Sequence, residues 1–87
     1  MVYLVIVQPD AVKALKKIAG PDRARIGRKI DALAHDPRPV ELAKLKGPLE
    51  LYRIRIGDYR VIYRIHDKVL EVVAVRVGHR KEVYRKT

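Results

Sequence analysis

The chain contains no cysteine, which excludes a disulfide framework and any thiolate metal site and suits a reducing cytoplasm. Serine is missing altogether, so a serine nucleophile is excluded as well. No glycine-rich phosphate loop occurs. His35, His66 and His79 share no ligand spacing and have no acidic cluster beside them, so neither a metal nor another cofactor is expected. The opening apolar run, residues 2–7, is too short to cross a bilayer and lacks the basic start and cleavage site of a signal peptide. A soluble cytoplasmic protein with no membrane partner is the expectation. Acid is also scarce. Ten Asp and Glu residues stand against twenty Lys and Arg, and a net charge of +10 with a pI near 10.2 points to a polyanionic partner.

Eighty-seven residues, 48% of them apolar, make a single domain over residues 1–87 with one modest core. The type of positive charge shifts along the chain. Residues 1–50 carry four arginines and six lysines, whereas residues 51–87 carry seven arginines and three lysines. Arginine is favoured where planar recognition of phosphate matters, so the second half is the expected working half.

Residues 2–7 are β-rich and almost wholly apolar, which predicts a strand buried on both faces. Asp10 can cap a helix running to Ala19, with Val12, Leu15, Ile18 and Ala19 as its buried stripe and Gly20 as its left-handed stop. Pro21 fits the first turn of a second helix, to about Ala34, that buries Ile26, Ile30 and Leu33. These basic helices are not read as a helix-turn-helix DNA reader, because the turn holds proline and no base-reading polar residues mark a recognition helix. Asp36-Pro37-Arg38-Pro39 forms the main loop, residues 40–46 are ambiguous, and residues 69–77 form the last strand. The fold class is α+β: an N-terminal strand, an αα-hairpin, then a three-stranded antiparallel meander (β-α-α-β-β-β), with the helices packed on one face of the sheet.

The stretch 51–65, LYRIRIGDYRVIYRI, reads as two strands joined by Gly57-Asp58. A two-residue loop there pairs Ile56 with Tyr59, Arg55 with Arg60, Ile54 with Val61, Arg53 with Ile62 and Tyr52 with Tyr63. One face is then apolar and the other carries Arg53, Arg55, Arg60 and Arg64. Arg55 directly opposite Arg60 is repulsive, and either an anionic ligand, for which phosphate is the natural match, offsets this or the arginines splay into solvent as an ordinary wet face. An Asp67-Lys68 loop would set Arg64 against Glu71 as a surface ion pair, which leaves Arg64 out of the site. The same register lays Val73 and Val75 beside Ile62 and Arg60, so the arginine face is also greasy and a covering element is expected, either the C-terminal tail or a partner chain.

Past the last strand, Gly78-His79-Arg80 and Lys81-Glu82-Val83-Tyr84 bring a proton-exchanging histidine, a further arginine and an aromatic side chain to the sheet edge. With Ala43-Lys44-Leu45-Lys46-Gly47, Tyr52-Arg53-Ile54-Arg55 and Gly57-Asp58-Tyr59-Arg60-Val61-Ile62-Tyr63, these pieces occur in an order that resembles the RelE/ParE toxin superfamily and its RelE-like ribonuclease branch. The resemblance implies the toxin of a type II toxin–antitoxin system, a metal-independent mRNA interferase that cuts messenger RNA on the ribosome and is held inactive by a cognate antitoxin wrapped around it. It assigns catalysis to Arg60, Arg80 and Tyr84, and RNA binding to Arg53, Arg55 and Lys46. Where the family pattern has lysines this chain has Arg53 and Arg55, which cannot act as bases, so proton transfer shifts to His79 or Tyr84, or to weak-base catalysis helped by the ribosome. The alternative is a ParE-like inhibitor of DNA gyrase that cuts nothing.

Overall fold

A computed structural model describes residues 2–47 and 50–79. Five strands and two helices appear in the order Leu4–Val7 (β1), Pro9–Lys16 (α1), Gly20–Ala32 (α2), Ala43–Lys44 (β2), Tyr52–Ile56 (β3), Tyr59–His66 (β4) and Glu71–His79 (β5). They build the expected α+β fold as one sheet ordered β1-β5-β4-β3-β2, in which β1 runs parallel to β5 and all other neighbours are antiparallel. The ambiguous segment contributes β2, a two-residue strand on the edge beyond β3.

The helices cover one face only. Ala11, Ile26, Ile30 and Leu33 pack against Ile54, Ile56, Val61, Tyr63, Val72, Ala74 and Val77 to form the core. α1 stops at Lys16, three residues short of Ala19, and its core-facing stripe is Ala11, Ala14 and Leu15, continued by Ile18 just past its end, so it is turned by one position from the stripe that begins at Val12. Gln8 occupies the N-cap, and Asp10 sits in the first turn, where a negative charge suits the helix dipole. Gly20 opens α2 instead of ending α1, and Pro21 falls in the first turn of α2 as expected.

β1 departs from a doubly buried strand. Tyr3, Val5 and Val7 face the core, while Leu4 and Ile6 on the opposite side are 61% and 37% exposed, because the helices leave that side of the sheet uncovered. The central hairpin pairs in the register read from the sequence at all five positions, with Gly57 at φ +60° in the turn.

The β4–β5 connection differs from expectation. Four residues, 67–70, make the turn, with Leu70 at φ +53°. Glu71 therefore pairs with His66, Arg64 faces Val73, and the Arg64–Glu71 ion pair does not form. A bulge then interrupts β5: Tyr63 pairs with Ala74 but Ile62 pairs with Arg76, leaving Val75 as the extra residue. Without that residue, alternation from Val72 and Ala74 would turn Arg76 into the core. With it, Val77 enters the core and Arg76 joins the face of Ile62.

The turn is held from outside. Arg38 donates from Nη1 and Nη2 to the two carboxylate oxygens of Asp67 at 3.1 and 2.8 Å, and the Tyr3 hydroxyl donates to Asp67 Oδ1 at 2.7 Å. The Arg38 guanidinium also lies 5.9 Å from the centre of the Tyr52 ring. Beneath it, the buried Tyr63 hydroxyl donates to the Pro37 carbonyl at 2.8 Å. The main loop, the β4–β5 turn and β1 are thereby tied together.

Candidate functional site: an arginine face on the open side of the sheet

The open face is built by register. Moving across the sheet, Arg55 faces Arg60, which faces Gly78; one step along, Arg53 faces Ile62, which faces Arg76; beyond these, Arg64 faces Val73. Five arginines from three strands thus share one face: the four read from the hairpin, and Arg76. Arg64, on this face as read, is no longer set apart by an acidic partner because the four-residue turn moves Glu71 opposite His66, and Arg76 joins because of the bulge. Neither change has a local signature: both alternation patterns of Val72-Val73-Ala74-Val75-Arg76-Val77 are largely apolar, so a slip of one residue is invisible in the pattern.

Arg60 is the most deeply buried of the five. It is only 7% exposed, and its Nη1 donates to the carbonyls of Gly57 at 3.3 Å and Tyr59 at 3.0 Å. Those bonds curl the guanidinium back over the hairpin turn, opposite a residue with no side chain. Its Nε is buried without a hydrogen-bond partner among the described residues, and so are Arg64 Nε and Arg76 Nη1. Arg55 is exposed, Arg53 is half-buried, and Ile62 between Arg53 and Arg76 is 1% exposed. Long arginine side chains can lay their methylenes along an apolar neighbour while their head groups remain available.

The electrostatics of the face are one-sided. The ion pairs among the described residues join Arg25 to Asp22, Lys29 to Glu41 and Arg38 to Asp67, and none reaches Arg55, Arg60, Arg64 or Arg76. Guanidiniums opposed across a strand pair at ~5 Å between Cβ atoms repel by roughly 1 kcal/mol in a water-like medium, and by several times that where water is excluded. Buried cationic donors without partners add to that cost. A phosphate bound across the face relieves both, by bidentate hydrogen bonds and by charge.

The remaining residues singled out from the sequence are Lys46, His79, Arg80 and Tyr84. Lys46 is exposed just past β2, on the side of β3. His79 pairs with Tyr59, and their rings meet edge to face at 6.0 Å between centroids, so its ring lies with Tyr59 on the helix side, away from the arginines. Arg80 and Tyr84 lie outside the described residues. No group of three His, Asp or Glu side chains that could hold a metal ion comes together among the described residues. No helix there is long and apolar enough to cross a membrane.

This arrangement has known relatives. Residues 5–84 match the family described as ParE toxin of the type II toxin–antitoxin system, parDE. The mRNA interferase toxin RelE of Escherichia coli K12 is 30% identical over 97% of this chain and 92% of its own length. Toxin RelE3 of Methanocaldococcus jannaschii is 32% identical over 92% and 93%. Among solved structures, the archaeal RelE of the RelE–RelB complex from Pyrococcus horikoshii OT3 superposes with a TM-score of 0.82 at 34% identity, covering 94% of this chain and 99% of that one. The chain therefore belongs to the RelE/ParE family of type II toxin–antitoxin toxins, and within it is RelE-like.

Proposed function

We propose that this toxin is a ribosome-dependent endoribonuclease of the cytoplasm that cleaves messenger RNA in the A site without a metal ion. The observation that carries the reading is the open face of arginines with buried, unpartnered guanidinium nitrogens and no described carboxylate to neutralise Arg55, Arg60, Arg64 or Arg76. The ribose 2′-oxygen loses its proton and attacks the adjacent phosphorus, and the bond to the 5′-oxygen of the next nucleotide breaks as that oxygen takes up a proton. Arg60, fixed by the turn carbonyls, stabilises the charge that builds on the phosphoryl oxygens, with Arg80 as its partner. Arg53, Arg55 and Lys46 position the RNA backbone. Tyr84 stacks a base or transfers a proton, a role that the placement of His79 on the other side of the sheet leaves chiefly to Tyr84.

The partner that silences the toxin is a cognate antitoxin. Val2, Leu4 and Ile6 form an exposed apolar strip along β1 beside the arginine face, a surface suited to a covering protein, and the Pyrococcus relative was solved with RelB. Expressing the toxin and mapping RNA 5′ ends should reveal cuts inside translated codons, lost in the Arg60→Ala/Arg80→Ala double variant while the circular dichroism of the fold persists. Undiminished toxicity in that variant would falsify the nuclease reading. The second reading, a ParE-like inhibitor of DNA gyrase, is favoured by the description of the matching family. Inhibition of supercoiling with translation left intact would establish it instead.

A further inference from the structure

β1 ends at Val7, opposite Ala74, and β5 continues for five more residues with no described strand on its outer side. α1 runs alongside that stretch, and between them lies an open cleft of about 700 Å³. Among the described residues, Lys13, Lys17 and Arg76 line it against a single carboxylate, Asp10. Lys13 and Lys17 are four apart in the sequence, so they share one face of the helix and both are exposed. The edge-to-face rings of Tyr59 and His79 line the same cleft. The bulge places Arg76 at the seam: it pairs with Ile62 on the arginine face and also lines the cleft, with Nη1 shut off from water and without a hydrogen-bond partner among the described residues.

We propose that this cleft is a second RNA subsite, in which Lys13, Lys17 and Arg76 hold backbone phosphates and the Tyr59–His79 pair takes one base of the strand after it has left the arginine face. A cationic rim over aromatic rings suits a nucleotide, since each nucleotide carries a phosphate and a stacking surface, whereas an acidic peptide would use only the rim. The strand passes from the arginine face round the edge of β5, with Arg76 as the residue common to both surfaces. The inference rests on the reading of the arginine face as RNA-binding and adds a direction to the bound strand.

Fluorescence anisotropy of a labelled single-stranded RNA decamer, measured with the whole chain over a salt series, tests it. Removing three phosphate contacts in Lys13→Gln/Lys17→Gln/Arg76→Gln should lower the slope of log affinity against log salt by about 2, and Lys13→Gln/Lys17→Gln alone by about 1.4. Arg76→Lys should keep the slope, because it retains the charge. The lysine pair is exposed and can be replaced without disturbing the core, so its result stands even if Arg76→Gln fails to fold. An unchanged slope in the lysine double variant overturns the proposal. So does binding of a glutamate-rich peptide that the lysine substitutions abolish while RNA binding keeps its full slope, which would mark a protein site. Wild-type chain that binds RNA steeply but never cuts translated messages sinks the nuclease reading and leaves the subsite standing. Wild-type cutting with unchanged slopes in the variants does the reverse.

Discussion

Arg38 and Arg60 lie on one small molecule and have opposite surroundings. Arg38 meets Asp67 through two hydrogen bonds, with Tyr3 and Tyr52 around the pair, and its charge is spent on tying the main loop to the β4–β5 turn. Arg60 finds only the carbonyls of its own hairpin, with Arg55 across from it and no described carboxylate in reach. The same side chain is structural where an acid balances it and available to a ligand where none does. Counting arginines therefore says little, and asking which of them lack a counter-charge says much more.

Substitutions at the two places should separate. If the face holds RNA as proposed, Arg55→Gln removes a charge-assisted contact of about 1.5–3 kcal/mol, so cleavage should fall roughly 10- to 100-fold in a translation-coupled assay. It also removes the repulsion against Arg60, so the midpoint of chemical denaturation should stay level or rise. Arg38→Gln should do the opposite, with cleavage unchanged and the midpoint lowered. If both variants lose activity and stability together, the division between the two regions is wrong. Tyr63→Phe tests the loop tie next: it leaves the buried Pro37 carbonyl without its donor, and urea unfolding should show a loss of about 1–3 kcal/mol.

The smallest effect concerns acid. Hydrogen bonds from Arg38 and then from Tyr3 hold the Asp67 carboxyl down at about 2, below its ordinary range near 3.8. A carboxylate depressed in the folded state contributes stability that is fully present above about pH 4 and is lost as the pH falls towards 2. Asp67→Asn should flatten that part of the stability-against-pH curve and leave the curve above pH 5 parallel to wild type. An unchanged acid limb would mean that the clamp adds nothing to folding in solution.

The hairpin was readable because its period of two is marked on every residue and Gly57-Asp58 supplies a turn that tolerates positive φ. Arg53, Arg55 and Arg60 followed from that register. The helices were readable in number and approximate extent, although the one-position rotation of α1 was not, since Ala11 and Val12 are both apolar and packing alone chooses between them. The parallel docking of β1 beside β5 and the exposure of its outer side were hidden, because a run of six apolar residues looks alike in an edge strand and in a central one. The absence of an acidic partner opposite Arg64 and the addition of Arg76 were hidden for a related reason. Turn length and bulge position depend on long-range contacts, here the grip of Arg38 and Tyr3 on Asp67 and the fit of Val77 into the core.

Composition and local pattern were enough to establish a basic α+β chain with a two-faced hairpin and a resemblance to RelE-like toxins, since charge, periodicity and turn chemistry are all carried by neighbouring residues. Which arginines stand without a counter-charge, and where the arginine face meets the cleft under α1, was decided in three dimensions. Those answers depend on register across strands distant in the chain, where one extra residue in β5 turns a side chain from one side of the sheet to the other.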